Sequence, residues 1–482
     1  MNRADLISLL PEMILTAGGV LVLLLDAIAP RLRRSFTGLA LLTTVAAGWG
    51  AWEAWAQLGS ALTWNGVLET SRITLAFSLV VLVATALSLL ASQGYLRRER
   101  ILSGEYHALL LWCATGLLLM LRGTELLTVF VALELLSLCL YCLAAFHRQV
   151  SLSGEAAIKY FLMGAFVSAF VLYGISLVYG TTGSTRFAEI GQKLGAAGEV
   201  PVFAALGLLM LIAGFGFKMS VVPFHAWSPD TYQGAPSPFV AFLSVAPKVA
   251  SALVLYRLLD AVIQGGGQTA GRWDDLVGIL AVSSMLVGNL LALVQRDIKR
   301  MLAYSGIAHM GYLLLALVVL DRGSLGPVIV YLLAYVLMNA GAFAVVAMLY
   351  TREGEQHLIS DLSGWGYRYP LLAACLTVCM LSLGGIPPTM GFLGKYVVFM
   401  NAVSDGLVGL AVVGVLASLV GVFYYLRVVY VLYMRPESRQ PEGLLIDGWG
   451  RTAAVLAALG TLILGIWPTG LLQWLWEATG GR

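Results

Sequence analysis

Residues 126–146 read LLTVFVALELLSLCLYCLAAF, twenty-one residues with a single charge, Glu134. An α-helix needs about 20 predominantly apolar residues to cross a bilayer. This stretch meets that requirement, and it is one of fourteen. The others lie at 5–29, 36–56, 73–95, 106–121, 156–180, 201–222, 238–262, 273–294, 300–320, 326–350, 370–400, 406–434 and 452–476, with the fifth running 124–146. The connections are too short to hold a soluble domain, and 181–200 and 351–369 read as polar loops. The sequence therefore predicts an all-α polytopic membrane protein of about fourteen transmembrane helices. Only 11% of the residues are charged, against roughly 25% in soluble proteins. The net charge of +3 is spread over loops. No basic stripe with interleaved aromatics is present, which excludes nucleic acid as a partner and leaves the lipid bilayer.

The first stretch has some features of a signal peptide, with Arg3 before it and an Ala-Ile-Ala near its end. Pro11, Glu12 and Asp26 interrupt it, and it outruns the apolar core of such a peptide. It reads as a retained first span. Cys113, Cys139, Cys142, Cys375 and Cys379 all lie in apolar runs. None belongs to a four-ligand metal or cluster spacing, so they are expected to be small packing residues.

Cytoplasmic loops carry the excess of Lys and Arg. Fifteen basic residues fall in the odd loops, and eight in the even loops and the two ends. Odd loops are thus expected in the cytoplasm, with both termini on the other side. Six basic residues remain in or beside spans: Lys159, Lys218, Lys248, Arg257, Lys395 and Arg427. Four of the chain's six lysines are in that group. Lysine is not used here mainly as a solubilising surface residue.

A lysine at the bilayer centre costs about 2.5–3.5 kcal/mol on insertion scales, so Lys218, Lys248 and Lys395 together cost on the order of 8–10 kcal/mol. A counter-charge offsets this, or the proton is released, because desolvation disfavours a charged amine. Glu134 is the carboxylate best placed as a counter-charge, and a Glu134–Lys218 pair that closes and opens would act as a switch. Glu155 and Lys159 stand at i and i+4 and are expected to pair. His225 and His309 lie in or beside apolar segments. Each can relay a proton, since histidine titrates near neutrality, or can simply be a hydrogen-bonded packing residue. Arg257 and Arg427 are expected to bind carbonyls or snorkel, because arginine keeps its proton. Glu134, Lys218, Lys248, His309 and Lys395 form a row of titratable groups such as a proton path requires. No phosphate loop, zinc signature, haem motif or nucleophile elbow competes with that reading.

Spans seven and twelve echo each other. VVPFHAWSP ends the first and SLGGIPPTMGFLGK lies in the second, each a long apolar segment broken by Gly and Pro with a lysine near the break. An offset of five spans reverses direction across the membrane. Inverted repeats with broken helices are the architecture of secondary transporters.

Five stretches now carry a resemblance: GFGFKMSVVPFHAWSPDTYQGAPSP at 214–238, ELLSLCLY from Glu134, SGEAAIKYFL at 153–162, QRDIKRMLAYSGIAHMGY at 295–312 and GGIPPTMGFLGKY at 384–396. Jointly they resemble the antiporter-like subunits of respiratory complex I, the proton-pumping NADH:quinone oxidoreductase. The YQGAPSP wording and Lys395 resemble the N type, called subunit 2 in mitochondria. The M type has glutamate at the position of Lys395, and the L type adds a long lateral helix. The cation/proton antiporter subunits of Mrp complexes share the fold and stay open as an alternative.

The resemblance implies two inverted five-helix repeats with broken helices 7 and 12. It divides the chain into 1–105, a first repeat at 106–262, a second at 273–434, and a C-terminal helix in 435–482. It implies Glu134 and Lys218 as the coupling pair, Lys248 on the central axis, His309 lining it and Lys395 at the exit. His225, Lys159 and Glu155 are secondary candidates. It implies no cofactor in this chain, with NADH, flavin, iron–sulfur clusters and quinone in other subunits. The implied partners are an M-type neighbour and small K-type and J-type subunits in a bacterial plasma membrane. A third reading makes the buried charges mere locks between helices.

Overall fold

The computed structural model describes residues 2–197, 200–265, 270–319, 325–351, 354–355, 357–436 and 446–478. Arg322, Arg352, Arg439 and Arg482, counted above for orientation, lie outside them, as do 437–445 and 479–482 of the expected C-terminal unit. Among the described residues, twelve helices are long and apolar enough to cross a membrane. Two more crossings complete the fourteen. Phe36–Leu58 is the second, its apolar run diluted by Trp, Glu and Gln. The twelfth is split into Pro370–Gly384 and Met390–Ser404.

Several boundaries differ from the sequence expectation. The first stretch divides into Arg3–Ser8 and Leu10–Ile28, with Pro11 in the first turn of the second helix, where its missing N–H costs nothing. The supposed polar loop at 181–200 carries a helix, Phe187–Ala196, that buries Phe187, Ile190 and Leu194. Their spacing of three and four is the stripe of an amphipathic helix. The region after the eleventh span holds a small hairpin, a 3-10 turn at Ile359–Leu362 and a short helix at Trp365–Arg368. The last span, Gly448–Ile466, stops before Pro468, and a separate helix, Thr469–Ala478, follows. Proline cannot continue the hydrogen-bond ladder of the preceding turn.

Two five-span units repeat the same packing in opposite directions. The fourth span (Gly104–Arg122) packs on the fifth (Leu126–Ala144) as the ninth (Trp273–Leu293) packs on the tenth (Ile298–Val318). The sixth (Ser151–Thr182) packs on the first half of the seventh (Val202–Met219) as the eleventh (Gly326–Val346) packs on the first half of the twelfth. The two breaks also match. Val221 N–H donates to Gly216 O at 2.8 Å and Ser220 N–H to Phe217 O at 3.0 Å. Ile386 N–H donates to Leu381 O at 3.0 Å and Gly385 N–H to Ser382 O at 2.9 Å. These are the paired bonds of a Schellman ending, which needs a left-handed residue. Ser220 (φ 61°) and Gly385 (φ 78°) supply it.

The eighth (Ser237–Ile263), tenth and eleventh spans are almost wholly buried, whereas the sixth and fourteenth bury only a minority of their residues. Basic residues at span ends are fixed by specific partners. Arg122, expected in a loop, is buried instead. It donates to both carboxylate oxygens of Glu12 at 2.8 and 2.9 Å, to Thr70 Oγ1 at 2.9 Å, and to the carbonyl of Ser8. Arg98 pairs with Asp447 at 2.7 Å, tying the third span (Arg72–Arg98) to the fourteenth. Removing one member of a buried pair costs about 3–5 kcal/mol, because the other charge is left uncompensated. Arg122→Ala should therefore lower the thermal stability of the detergent-extracted protein, read as its melting midpoint. Arg122→Lys should restore little, since one ammonium cannot replace the guanidinium fork.

Candidate functional site

Lys218 closes the first half of the seventh span, two residues before the left-handed Ser220. A cation is favoured at a helix C-terminus, where free carbonyls gather negative charge. The amine, 4% exposed, donates to Ser137 Oγ at 2.8 Å. It lies 5.5 Å from the ring centres of both Tyr141 and Tyr160. Such contacts contribute about 0.5–2 kcal/mol each. Ser137 stands one turn beyond Glu134 on the fifth span. The expected Glu134–Lys218 pair is thus open here: no ion pair within 4.0 Å joins them among the described residues. Glu134 Oε1 is buried without a hydrogen-bond partner. The hydroxyl of Ser137 takes the amine because it lies where the broken helix ends.

From Lys218 toward Lys248 the connection is aromatic. Tyr160 stacks on Trp227 at 4.5 Å and 18°, and Trp227 meets Tyr232 edge-on at 6.1 Å. Trp227 donates its indole N–H to the carbonyl of Phe217 at 2.9 Å. Lys248 lies 5.9 Å from the Tyr232 ring. The hydroxyls of Tyr141, Tyr160, Tyr232 and Ser251 are buried and have no hydrogen-bond partner among the described residues.

From Lys248 onward hydrogen bonds alternate with ring contacts. Its amine donates to Tyr335 Oη at 3.1 Å, and the ring of Tyr335 lies 5.3 Å from that of His309. His309 bonds Tyr331 Oη through Nδ1 at 2.6 Å and Tyr425 Oη through Nε2 at 3.2 Å. Tyr425 in turn bonds Ser305. Tyr312 packs edge-on to His309 at 5.7 Å, and its ring centre lies 5.1 Å from the amine of Lys395. Lys395 reaches back across the break of the twelfth span. It donates to the carbonyls of Leu383 at 2.9 Å and Gly384 at 3.2 Å, and to Ser418 Oγ at 2.8 Å. Those carbonyls are the ones the interrupted helix leaves free.

The structure thus brings Lys218, Lys248, His309 and Lys395 into one row and leaves Glu134 beside its start. Lys159 sits apart, half exposed, pairing with Glu155 at 2.8 Å as expected and also with Asp230 at 2.9 Å. His225 lies in the break of the seventh span with Nδ1 buried and without a hydrogen-bond partner among the described residues, and it is not bonded to a lysine of the row. Arg257 donates to Gly123 O at 2.7 Å and pairs with Glu69 at 2.7 Å. Arg427 binds the carbonyls of Leu293 and Gln295, each at 2.8 Å. The sequence reading missed Ser137, Ser418 and the tyrosines. A tyrosine in an apolar run reads as packing. The available signal was its recurrence at one-turn spacing, as in Tyr331 with Tyr335, and its adjacent doubling in Tyr424 with Tyr425.

Two helices broken at matching Schellman endings, with amines held by rings, hydroxyls and freed carbonyls rather than by carboxylates, mark an antiporter-like membrane subunit. Residues 123–421 match the family described as NADH:quinone oxidoreductase/Mrp antiporter, TM. The chain is 39% identical over 472 residues to NADH-quinone oxidoreductase subunit N of Trichlorobacter lovleyi, covering 98% of this chain and 96% of that one. It is 38% identical over 516 residues to subunit N of Myxococcus xanthus, covering 99% and 98%. A chain of respiratory complex I from Thermus thermophilus with bound aureothin superposes with a TM-score of 0.80 at 34% identity, covering 96% of this chain and 98% of that one. A chain of the Mrp complex from Dietzia sp. DQ12-45-1b superposes at 0.83 with 22% identity, covering 100% and 98%. The backbone is shared by both groups, and sequence identity separates them. The chain belongs to the NADH:quinone oxidoreductase/Mrp antiporter membrane family, on its subunit N branch.

Gly306 makes room for the centre of the row. A Cβ there would lie 2.8 Å from both Lys248 Nζ and Tyr335 Oη. Gly306→Ala gains about 1 kcal/mol of helix propensity but forces the amine and hydroxyl apart. The expected result is a normal amount of protein in the membrane with proton movement slowed about fivefold or more, the equivalent of one lost hydrogen bond. Proton uptake by vesicles, normalised to protein content, checks it.

Proposed function

We propose that this chain carries protons across a bacterial plasma membrane as the N-type membrane subunit of NADH:quinone oxidoreductase. The observation that supports this reading best is the row Lys218–Lys248–His309–Lys395, buried among the spans with tyrosines between its members. A lysine can bind and release a proton, which an arginine cannot. Fixed carboxylate partners would hold the ammonium permanently. Ser137, Tyr335 and Ser418 offer single neutral bonds instead. Glu134, one turn from Ser137, is placed to attract the Lys218 ammonium when the carboxylate swings in. Closing that pair holds the proton, and opening it lets the proton pass toward Lys248.

In this reading the chain does no redox chemistry. NADH, flavin, iron–sulfur clusters and quinone belong to other subunits, and electron transfer there drives the pair. The neighbours are an M-type antiporter-like subunit and the small K-type and J-type subunits. The two repeats take 106–262 and 273–434, with 1–105 and 435–482 flanking them. The basic residues of the odd loops put both termini on the non-cytoplasmic face. The shared backbone of the Mrp complex supports a second reading, a cation/proton antiporter working without redox turnover.

Lys218→Ala tests the first reading. In membranes where the complex still assembles, NADH-driven quinone reduction and the pH gradient it builds should both collapse. Parental rates of both would make Lys218 a packing residue. In the unmodified protein, a pH gradient built by an imposed cation gradient without NADH oxidation would favour the Mrp reading. For orientation, alkaline phosphatase fused to the C-terminus should be active, since that enzyme folds only outside the cytoplasm. An inactive fusion at normal expression would reverse the assignment.

A further inference from the structure

The short helix Trp227–Gly234, the second half of the seventh span, contacts the surroundings of Lys218 and the amine of Lys248. Trp227 stacks on Tyr160, one of the rings around Lys218, and its indole holds the carbonyl next to that lysine. Tyr232 lies under Lys248. The position of this one helix therefore sets the surroundings of both amines. It packs on the sixth span and on the tenth, one from each repeat.

A single carboxylate on it joins the two. Asp230 accepts from Lys159 of the sixth span at 2.9 Å and from Arg300 of the tenth at 2.6 Å. Arg300 also donates to Gln233 Oε1 at 3.0 Å. Gln233 donates to Asp297 at 3.1 Å, and Asp297 caps the tenth span by accepting from Arg300 N–H at 3.0 Å. Glu155 competes for Lys159 at 2.8 Å. The helix is thus pinned through charge at Asp230 and through aromatic stacking at Trp227. It carries no backbone ladder to the first half of the span, because the Schellman ending interrupts it.

We propose that Asp230 is a positioning residue for proton transfer: by bridging Lys159 and Arg300 it clamps Trp227–Gly234 between the two repeats, and so fixes Trp227 and Tyr232 against Lys218 and Lys248. This rests on the proton-carrying role of Lys218. Asp230 touches no member of the row and acts through the helix it stands on. Releasing one of its partners lets the helix tilt and opens the aromatic segment between the two lysines.

The test uses Asp230→Asn, Asp230→Glu, Lys218→Ala and the double variant Asp230→Asn/Lys218→Ala in the intact complex in native-type membranes. Assembly is measured first, then NADH-driven quinone reduction and proton uptake. Asp230→Asn is expected to slow both on the order of tenfold at unchanged assembly, as a misplaced reacting group does. Asp230→Glu should recover most of the rate, since it keeps the charge for both partners. The double variant should be no slower than Lys218→Ala alone, because both changes strike the same step. Parental rates in Asp230→Asn, or losses that multiply in the double variant, overturn the proposal. If Asp230→Asn fails to assemble, Arg300→Gln replaces it in the same cycle, leaving Lys159 on the carboxylate, and is read the same way. A silent Lys218→Ala sinks the proton role itself. An inactive Lys218→Ala beside a fully active Asp230→Asn sinks only the clamp.

Discussion

An amine buried without a counter-carboxylate is the constraint on which the rest of this structure turns. Each of the three central lysines is nearly inaccessible, and each costs free energy in proportion to its depth in the bilayer. The fold offsets that cost in three different ways. Lys218 takes a helix C-terminus, a serine and two rings. Lys248 takes a tyrosine hydroxyl and the space left by a glycine. Lys395 takes two carbonyls freed by a break, with a second serine. Both helix breaks thus serve an amine, which explains why glycine and proline interrupt spans that are otherwise suited to run straight through.

Arginine and lysine divide the work. Arg122, Arg98 and Arg257 each sit near a span end and grip a carboxylate, and Arg427 grips two carbonyls. A guanidinium never gives up its proton and presents several donors in a fixed fork, so it suits a lock. Lysine stands where a lock would defeat the purpose. This pattern bears on the idea that all the buried charges merely hold helices together. Arg122, Arg98 and Arg257 each join separate elements through a matched acid, and the lysines of the row lack that matching.

The spans, the two breaks and the row of lysines were legible because each leaves a strong local mark: twenty apolar residues, a Gly/Pro cluster, a charge where none is cheap. The helix at Phe187–Ala196 left a mark too, an amphipathic stripe, but its length and polarity resembled a loop. What the sequence hid was contact. Glu134 and Lys218 are the obvious pair on charge, yet the amine rests on Ser137, one turn away. Only the position of a helix end decides between those two. Asp230 was invisible for a related reason. It lies in WSPDTYQG, which reads as a turn, and its partners are 71 and 70 residues away in the chain. The tyrosines were hidden by their dual character, since a ring in an apolar run looks like packing until its hydroxyl is seen to face a histidine.

The two halves of the row are not equivalent, and the difference has a functional meaning. Between Lys248 and Lys395, hydrogen bonds join Lys248 to Tyr335 and His309 to Tyr331 and Tyr425, while ring contacts link Tyr335 to His309 and Tyr312 to Lys395. Between Lys218 and Lys248, stacked rings intervene and the nearby hydroxyls lack partners. A path hydrogen-bonded throughout would let protons run back down their gradient, and no driving reaction could build one. A pump needs one step that is closed by default and opened on demand. In the proposed reading the aromatic segment has the character of that step, and it is built on the short second piece of the seventh span. The segment beyond Lys248, richer in hydrogen bonds, has the character of the more open side. Inverted repetition supplied two similar halves, and the side chains of Trp227 and Tyr232 in one, against His309 and Tyr425 in the other, made them unlike.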